Sequence, residues 1–96
     1  MSSTLAARVT VSPDVMLQES EGEAVLLDLK RESFFGLDAV GTRAWRLIEE
    51  HGDVKTVYDV MLREFDVAPE RLEHDLGILI EELAQAGLVS VEAGSP

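Results

Sequence analysis

Nucleophilic catalysis needs a serine, threonine or cysteine held beside a base. This chain has no cysteine, which removes thiol nucleophiles, disulfides, thiolate zinc sites and iron–sulfur ligation together. No serine stands in a Gly-x-Ser-x-Gly elbow, and neither His51 nor His74 has a partner at a recognisable spacing. Two histidines so far apart are not a metal set. The acidic pairs Glu49-Glu50 and Glu81-Glu82 fall at a helix end and on a polar face, where solvated surface is the ordinary reading of a carboxylate pair. Gly36 and Gly41 are isolated, so no glycine-rich loop is spaced to cradle a phosphate. The residue types thus argue against an enzyme, and no metal or cofactor is expected.

Charge narrows the partners. Eight basic residues stand against 19 acidic ones, a net charge of −11. Such a surface repels phosphate backbones and anionic lipid, so neither a nucleic acid nor a membrane is the expected partner. No apolar run approaches the roughly 18–20 residues of a membrane span, and the first residues lack the basic-then-apolar layout of a signal peptide. The layout fits a cytoplasmic protein. With 96 residues there is room for one small domain. Residues 1–8 and 93–96 read as loose ends around a domain spanning 9–92.

The domain divides into halves of different periodicity. Val9, Val11, Val15 and Leu17 alternate with polar neighbours around the turn signal Ser12-Pro13-Asp14. The polar stretch Glu19–Glu23, with Gly22, predicts a hairpin connection into a second strand from Ala24 to Lys30. There Val25, Leu27 and Leu29 share one face, and Ala24, Leu26 and Asp28 the other. After a polar turn, Phe34–Leu37 forms a short third strand, Phe35 and Leu37 on one side, Phe34 and Gly36 on the other. Three helices follow. Asp38 caps the first, in which Val40, Ala44, Leu47 and Ile48 recur at helical spacing; Asp53 caps the second, which carries Val54, Val57, Met61 and Leu62. Pro69 opens the third, striped by Leu72, Leu76, Leu79, Ile80 and Leu83 and stopped by Gly87. Leu88–Val91 has the character of a brief final strand or turn. The expected fold is α+β: a three-stranded antiparallel sheet followed by three helices, with the look of a winged helix-turn-helix. That shape raises DNA binding, but the third helix offers only Arg71 as a basic residue, against Glu70, Glu73, Asp75, Glu81 and Glu82.

Two features fit a peptide-binding module better. The third strand, if it lies at the sheet edge, leaves main-chain groups free to pair with a strand from a partner; the alternative is that a helix covers it. On the third helix, at 100° per residue, Leu72, Leu76, Leu79 and Leu83 form one stripe and Ile78 falls outside it, beside Arg71, Asp75 and Glu82. Ile78 is either a scattered surface residue or part of a groove with Leu79 as floor and Arg71, Asp75 and Glu82 as lip. Leu26 and Phe34 both read as lying off the main strand face, so the sheet is expected to carry apolar residues on two sides. Trp45 and Tyr58 read as core.

Taken together, Gly22–Leu29, then Ser33-Phe34-Phe35-Gly36-Leu37-Asp38-Ala39-Val40-Gly41-Thr42-Arg43-Ala44-Trp45, and the ending Val67–Leu76 through Leu83–Val89 resemble the PqqD family. The specific part is the aromatic strand followed by Leu-Asp-x-x-Gly-x-x-x-Trp; the helical ending occurs in many winged helices. Ser33 departs from the pattern, in which a glycine is frequent. The resemblance implies a non-catalytic recognition element for ribosomally made, post-translationally modified peptides. Such proteins hold the leader segment of a precursor as an added strand on the third strand, beside the third helix, and present it to a maturation enzyme. Carried over by position, the implied peptide-binding residues are Ser33, Phe34, Phe35, Gly36 and Leu37 on the strand and Arg71, Asp75, Ile78, Leu79 and Glu82 on the helix. The implied partners are a precursor leader peptide and an enzyme. For lasso peptides, which the wording Phe-Gly-Leu-Asp-x-x-Gly-x-x-x-Trp favours, the enzyme is a leader protease; for pyrroloquinoline quinone it is a radical S-adenosylmethionine enzyme. A monomer and a homodimer are both compatible with the resemblance.

Overall fold

The computed structural model describes residues 4–92. A 3-10 turn at Thr4–Ala6 leads into β1 (Arg8–Val11), β2 (Val15–Ser20), β3 (Glu23–Asp28) and β4 (Ser33–Leu37). Helices α1 (Ala39–His51), α2 (Val54–Glu64) and α3 (Pro69–Gln85) follow, and β5 (Val89–Glu92) closes the chain's described part. The fold is α+β, with β2, β3 and β4 side by side in an antiparallel sheet, α1 packed on β3 and β4, α2 packed against α1, and α3 packed against α2 and β5.

Valines 9, 11 and 15 and Leu17, read together as alternating around the Ser12–Asp14 turn signal ahead of the second strand, belong to two sheets. The turn at Ser12–Asp14 separates β1 from β2, and β1 pairs with β5, Val9 against Val91 and Val11 against Val89. Within the loose end expected over 1–8, residues 4–8 hold the 3-10 turn and the first residue of β1. The Ala7 carbonyl accepts from Val54 N (3.2 Å), and Val9 N donates to Gly52 O (2.7 Å). Buried Ala7 and Val9 thus stitch the start of the chain to the α1–α2 connection. Residues 1–3 and the expected C-terminal end, 93–96, lie outside the described residues.

Local chemistry explains the boundaries. Glu21 and Gly22 both have positive φ, 52° and 84°, as a two-residue type I′ hairpin loop requires. Asp38 caps α1 as expected: its Oδ1 accepts from Gly41 N at 2.7 Å. Asp53 differs. It stands at the head of α2, but its carboxylate accepts from the Thr56 hydroxyl (2.8 Å) and makes no bond to backbone. At the end of α3, Leu88 N donates to Leu83 O and Gly87 N to Ala84 O, with Gly87 at φ 77°, the paired bonds of a Schellman ending.

The core lies between the β2–β4 sheet and the helices. Trp45, Leu47, Ile48, Val54, Val57, Met61, Leu83 and Leu88 are all buried there, with Leu26 from the sheet. The expected grouping of Leu26 with Phe34 is corrected by the register. Leu26 pairs with Phe35, and Leu27 with Phe34. Leu26 faces the core at 0% exposure, whereas Phe34 is 78% exposed on the opposite face. Asp28 follows Leu26 inward because the turn satisfies it: its Oδ1 accepts from Lys30 N and Arg31 N, each at 3.1 Å.

Candidate functional site

β4 has one neighbour, β3, so its outer edge carries no partner strand among the described residues. Register decides which main-chain groups that edge offers. Leu29 N donates to Asp14 O at 3.0 Å, which makes Asp14 and Leu29 a hydrogen-bonded pair continuing the β2–β3 ladder. Hydrogen-bonded and non-bonded pairs alternate in an antiparallel ladder. Leu27 and Val25 therefore bond toward β2, while Asp28, Leu26 and Ala24 bond toward β4, to Ser33, Phe35 and Leu37. The N–H and C=O groups of Phe34 and Gly36 are left pointing outward along the open edge.

The strand runs directly into a groove. Asp38, the residue after β4, lines it together with Val40, Gly41 and Ala44 of α1; Met61 comes from α2 and Leu72, Asp75, Leu76, Ile78, Leu79 and Glu82 from α3, around about 410 Å³ of space. The corner between strand and helix is tight. A Cβ on Gly41 would meet Asp38 Oδ1 at 3.2 Å and Leu37 Cδ2 at 3.3 Å. That is a physical reason for the Leu37-Asp38-x-x-Gly41 wording: the leucine anchors the strand end, the aspartate caps the helix, and the glycine lets them approach.

Of the helix residues expected in the site, Asp75, Ile78, Leu79 and Glu82 converge on this groove. Ile78 is 45% exposed. Leu79 is half-buried at the margin of the core stripe. Arg71 does not line the groove; it lies one turn away, its Nε 3.4 Å from Asp75 Oδ2, with both side chains largely in solvent. The strand residues Ser33–Leu37 form the edge and do not line the groove; Asp38 joins the two parts. Phe35 and Leu37 point toward the core side, Phe34 and Gly36 away from it.

Several residues of the region escaped sequence reasoning. Val40 looked like part of the α1 core stripe but is 47% exposed at the groove mouth. Met61 forms part of the floor from a different helix. On the sheet's outer face, Met16, Val25 and Leu29 are exposed together with the expected Phe34, and Met16, Leu27 and Phe34 stand in one row across three strands.

Charged side chains brace the frame. Arg43 on α1 holds Glu64 on α2 through two hydrogen bonds, 2.8 Å and 2.6 Å. The bond to Arg43 holds the Glu64 carboxyl below its usual range, and the same bond raises Arg43. Arg31, in the β3–β4 turn, donates to the Ala86 carbonyl at 3.2 Å, a cation at the negative end of α3. No group of histidine and carboxylate side chains suited to a metal ion occurs among the described residues. Nor is any helix there long and apolar enough to cross a membrane.

Comparison with known proteins adds the family. The profile of the family described as "Coenzyme PQQ synthesis protein D (PqqD)" matches residues 23–89. The chain belongs to the PqqD family. The matched span takes in β3, the open β4 edge and all three helices. Among solved structures, TbiB1 in complex with the TbiA(beta) leader peptide is similar at a TM-score of 0.79 and 34% identity, over 84% of this chain and 94% of that one. Lasso peptide synthetase B1 complexed with the leader peptide shares the fold at a TM-score of 0.77 and 17% identity, over 86% of this chain and 98% of that one. No curated protein matches the chain by sequence.

Proposed function

We propose that this PqqD-family protein is a non-catalytic recognition element that binds the leader segment of a ribosomally made precursor peptide and presents it to a maturation enzyme. The observation that carries the reading is a bare β4 edge running straight into an apolar groove. It gains weight from 34% identity to TbiB1, whose solved structure is a leader-peptide complex.

The leader adds as a strand on β4. Its main chain bonds to the outward N–H and C=O groups of Phe34 and Gly36, which gives affinity with little dependence on sequence. Leader side chains opposite those two residues lie on the outer face, next to exposed Phe34. Those opposite Phe35 turn to the other side, and the chain beyond enters the groove at Ile78 and Leu79. Ser33, Phe34, Phe35, Gly36 and Leu37 thus form the pairing strip; Asp75, Ile78, Leu79 and Glu82 form the selective wall, and Arg71 positions Asp75. Ordering a flexible leader loses chain entropy, so an affinity of about micromolar to tens of nanomolar is expected. Tethering the leader raises the local concentration of the distal core peptide at the enzyme.

A leader protease of a lasso-peptide pathway is the favoured enzyme partner, because both similar complexes hold leader peptides and one is a lasso peptide synthetase component. The description of the matching family supports a second reading, a chaperone for the radical S-adenosylmethionine enzyme of pyrroloquinoline quinone synthesis. Titration calorimetry with the leader of the precursor, followed by precursor cleavage with and without this protein, tests the proposal. Saturable one-to-one binding and faster cleavage are expected. Absence of leader binding by the folded protein overturns it.

A further inference from the structure

Resting on that reading, we infer that the groove selects a leader segment in which an apolar anchor is accompanied by a lysine or arginine, the cation held at Glu82. Asp75 and Glu82 are seven residues apart on α3, two turns on one face, about 10.5 Å. Ile78 and Leu79 lie between them, and all four line the groove. Asp38 adds a third carboxylate from the opposite wall, with one oxygen already taken by Gly41 N.

Little countercharge reaches this trough. Arg43 is committed to Glu64, Arg46 to Glu19 and Glu49, and Lys55 to Asp59. Arg71 meets Asp75 through a single 3.4 Å approach in solvent. Glu82 has no cation partner among the described residues. Carboxylates on the walls of an apolar cleft concentrate negative potential there. A wholly apolar segment seated in the groove would strip water from Glu82 and return nothing, which is unfavourable. A segment carrying a cation replaces that water with a charge-assisted hydrogen bond. Because Arg71 competes at Asp75, the selective end is Glu82. An extended chain rises about 3.3 Å per residue, so it spans the distance from Asp75 to Glu82 in about three residues. The basic residue therefore lies within about three positions of the anchor that sits on Leu79 and Met61.

The test selects displayed random 12-residue peptides on the purified protein. Winners are measured by calorimetry against wild type, Glu82→Gln, Asp75→Asn and Phe34→Pro, each checked for folding by circular dichroism. Expected winners carry an apolar residue and a lysine or arginine within three positions. Their affinity falls about fivefold in Glu82→Gln, the size of a partly exposed ion pair, and less in Asp75→Asn. Rising salt weakens binding to wild type more than to Glu82→Gln. Peptides that lose binding in Phe34→Pro, yet show no basic enrichment and bind Glu82→Gln as tightly as wild type, overturn the inference and leave the leader reading standing. Peptides indifferent to Phe34→Pro, or no winners at all, count against both.

Discussion

Proline at position 34 separates strand addition from every other way this surface might bind a peptide. The register leaves the Phe34 N–H outside the β3–β4 ladder, and the Phe34 ring is 78% exposed. Proline is tolerated on an edge strand where its missing N–H faces solvent. Phe34→Pro is therefore expected to melt within about 1 kcal/mol of wild type. Binding is another matter. The substitution removes one interstrand hydrogen bond, about 0.5–1.5 kcal/mol, and leaves a leader carbonyl facing no donor, about 1–3 kcal/mol more. Together these weaken the leader by about 1.5–4.5 kcal/mol, roughly 10- to 2000-fold. Phe34→Ala isolates the side-chain share. Phe35→Pro is the mirror control. The Phe35 N–H lies on the inner side, bonded toward Leu26, and its half-buried ring packs against the core. That variant loses a ladder hydrogen bond and leaves a strand carbonyl unpaired, and is expected to lose about 2 kcal/mol or more of stability. Thermal melts and calorimetry on all three variants give the answer. If Phe34→Pro binds leader as Phe34→Ala does, or unfolds as Phe35→Pro does, the assignment of the outward groups is wrong.

Other outcomes follow from the same geometry. Ile78→Lys is 45% exposed and should fold normally, while calorimetry should show leader affinity reduced at least about tenfold, since a charged head replaces an apolar wall. The Thr42 hydroxyl is buried without a hydrogen-bond partner among the described residues, so Thr42→Val should stabilise by about 1 kcal/mol in urea unfolding; destabilisation would mean that the hydroxyl is hydrogen-bonded in solution. Glu64 has a folded pKa below its ordinary value of 4.5, chiefly through its hydrogen bond to Arg43. The pair's contribution is present above that ordinary value and is lost as pH falls through the lower, folded one. The melting difference between wild type and Glu64→Gln should therefore shrink as pH drops below about 4.5, and a difference constant down to pH 3 would contradict the pairing.

Local signals made most elements legible. Asp38, Pro69 and Gly87 mark helix ends by chemistry that acts within a few residues, and the structure uses each of them there. The β1–β5 pairing was not legible, because it joins residues some 80 positions apart and nothing near Val9 announces Val91. The two faces of β3 misled for a different reason. The exposed face carries Val25, Leu27 and Leu29, more apolar than the buried face of Ala24, Leu26 and Asp28. Alternation alone cannot say which face is inside when the richer one is outside. On α3, helical offset was enough to put Ile78 apart from the core stripe and beside Asp75 and Glu82. The opposite wall was out of reach, since Val40 and Met61 come from separate helices brought together only by packing.

Amide hydrogen exchange, residue by residue, tests the central claim most directly. In the free protein the amides of Phe34 and Gly36 should exchange quickly and that of Phe35 slowly. With saturating leader, Phe34 and Gly36 should slow by at least about tenfold, with Phe35 little changed. Phe34 and Gly36 amides already protected without leader, or left unprotected when leader is bound, would contradict the account.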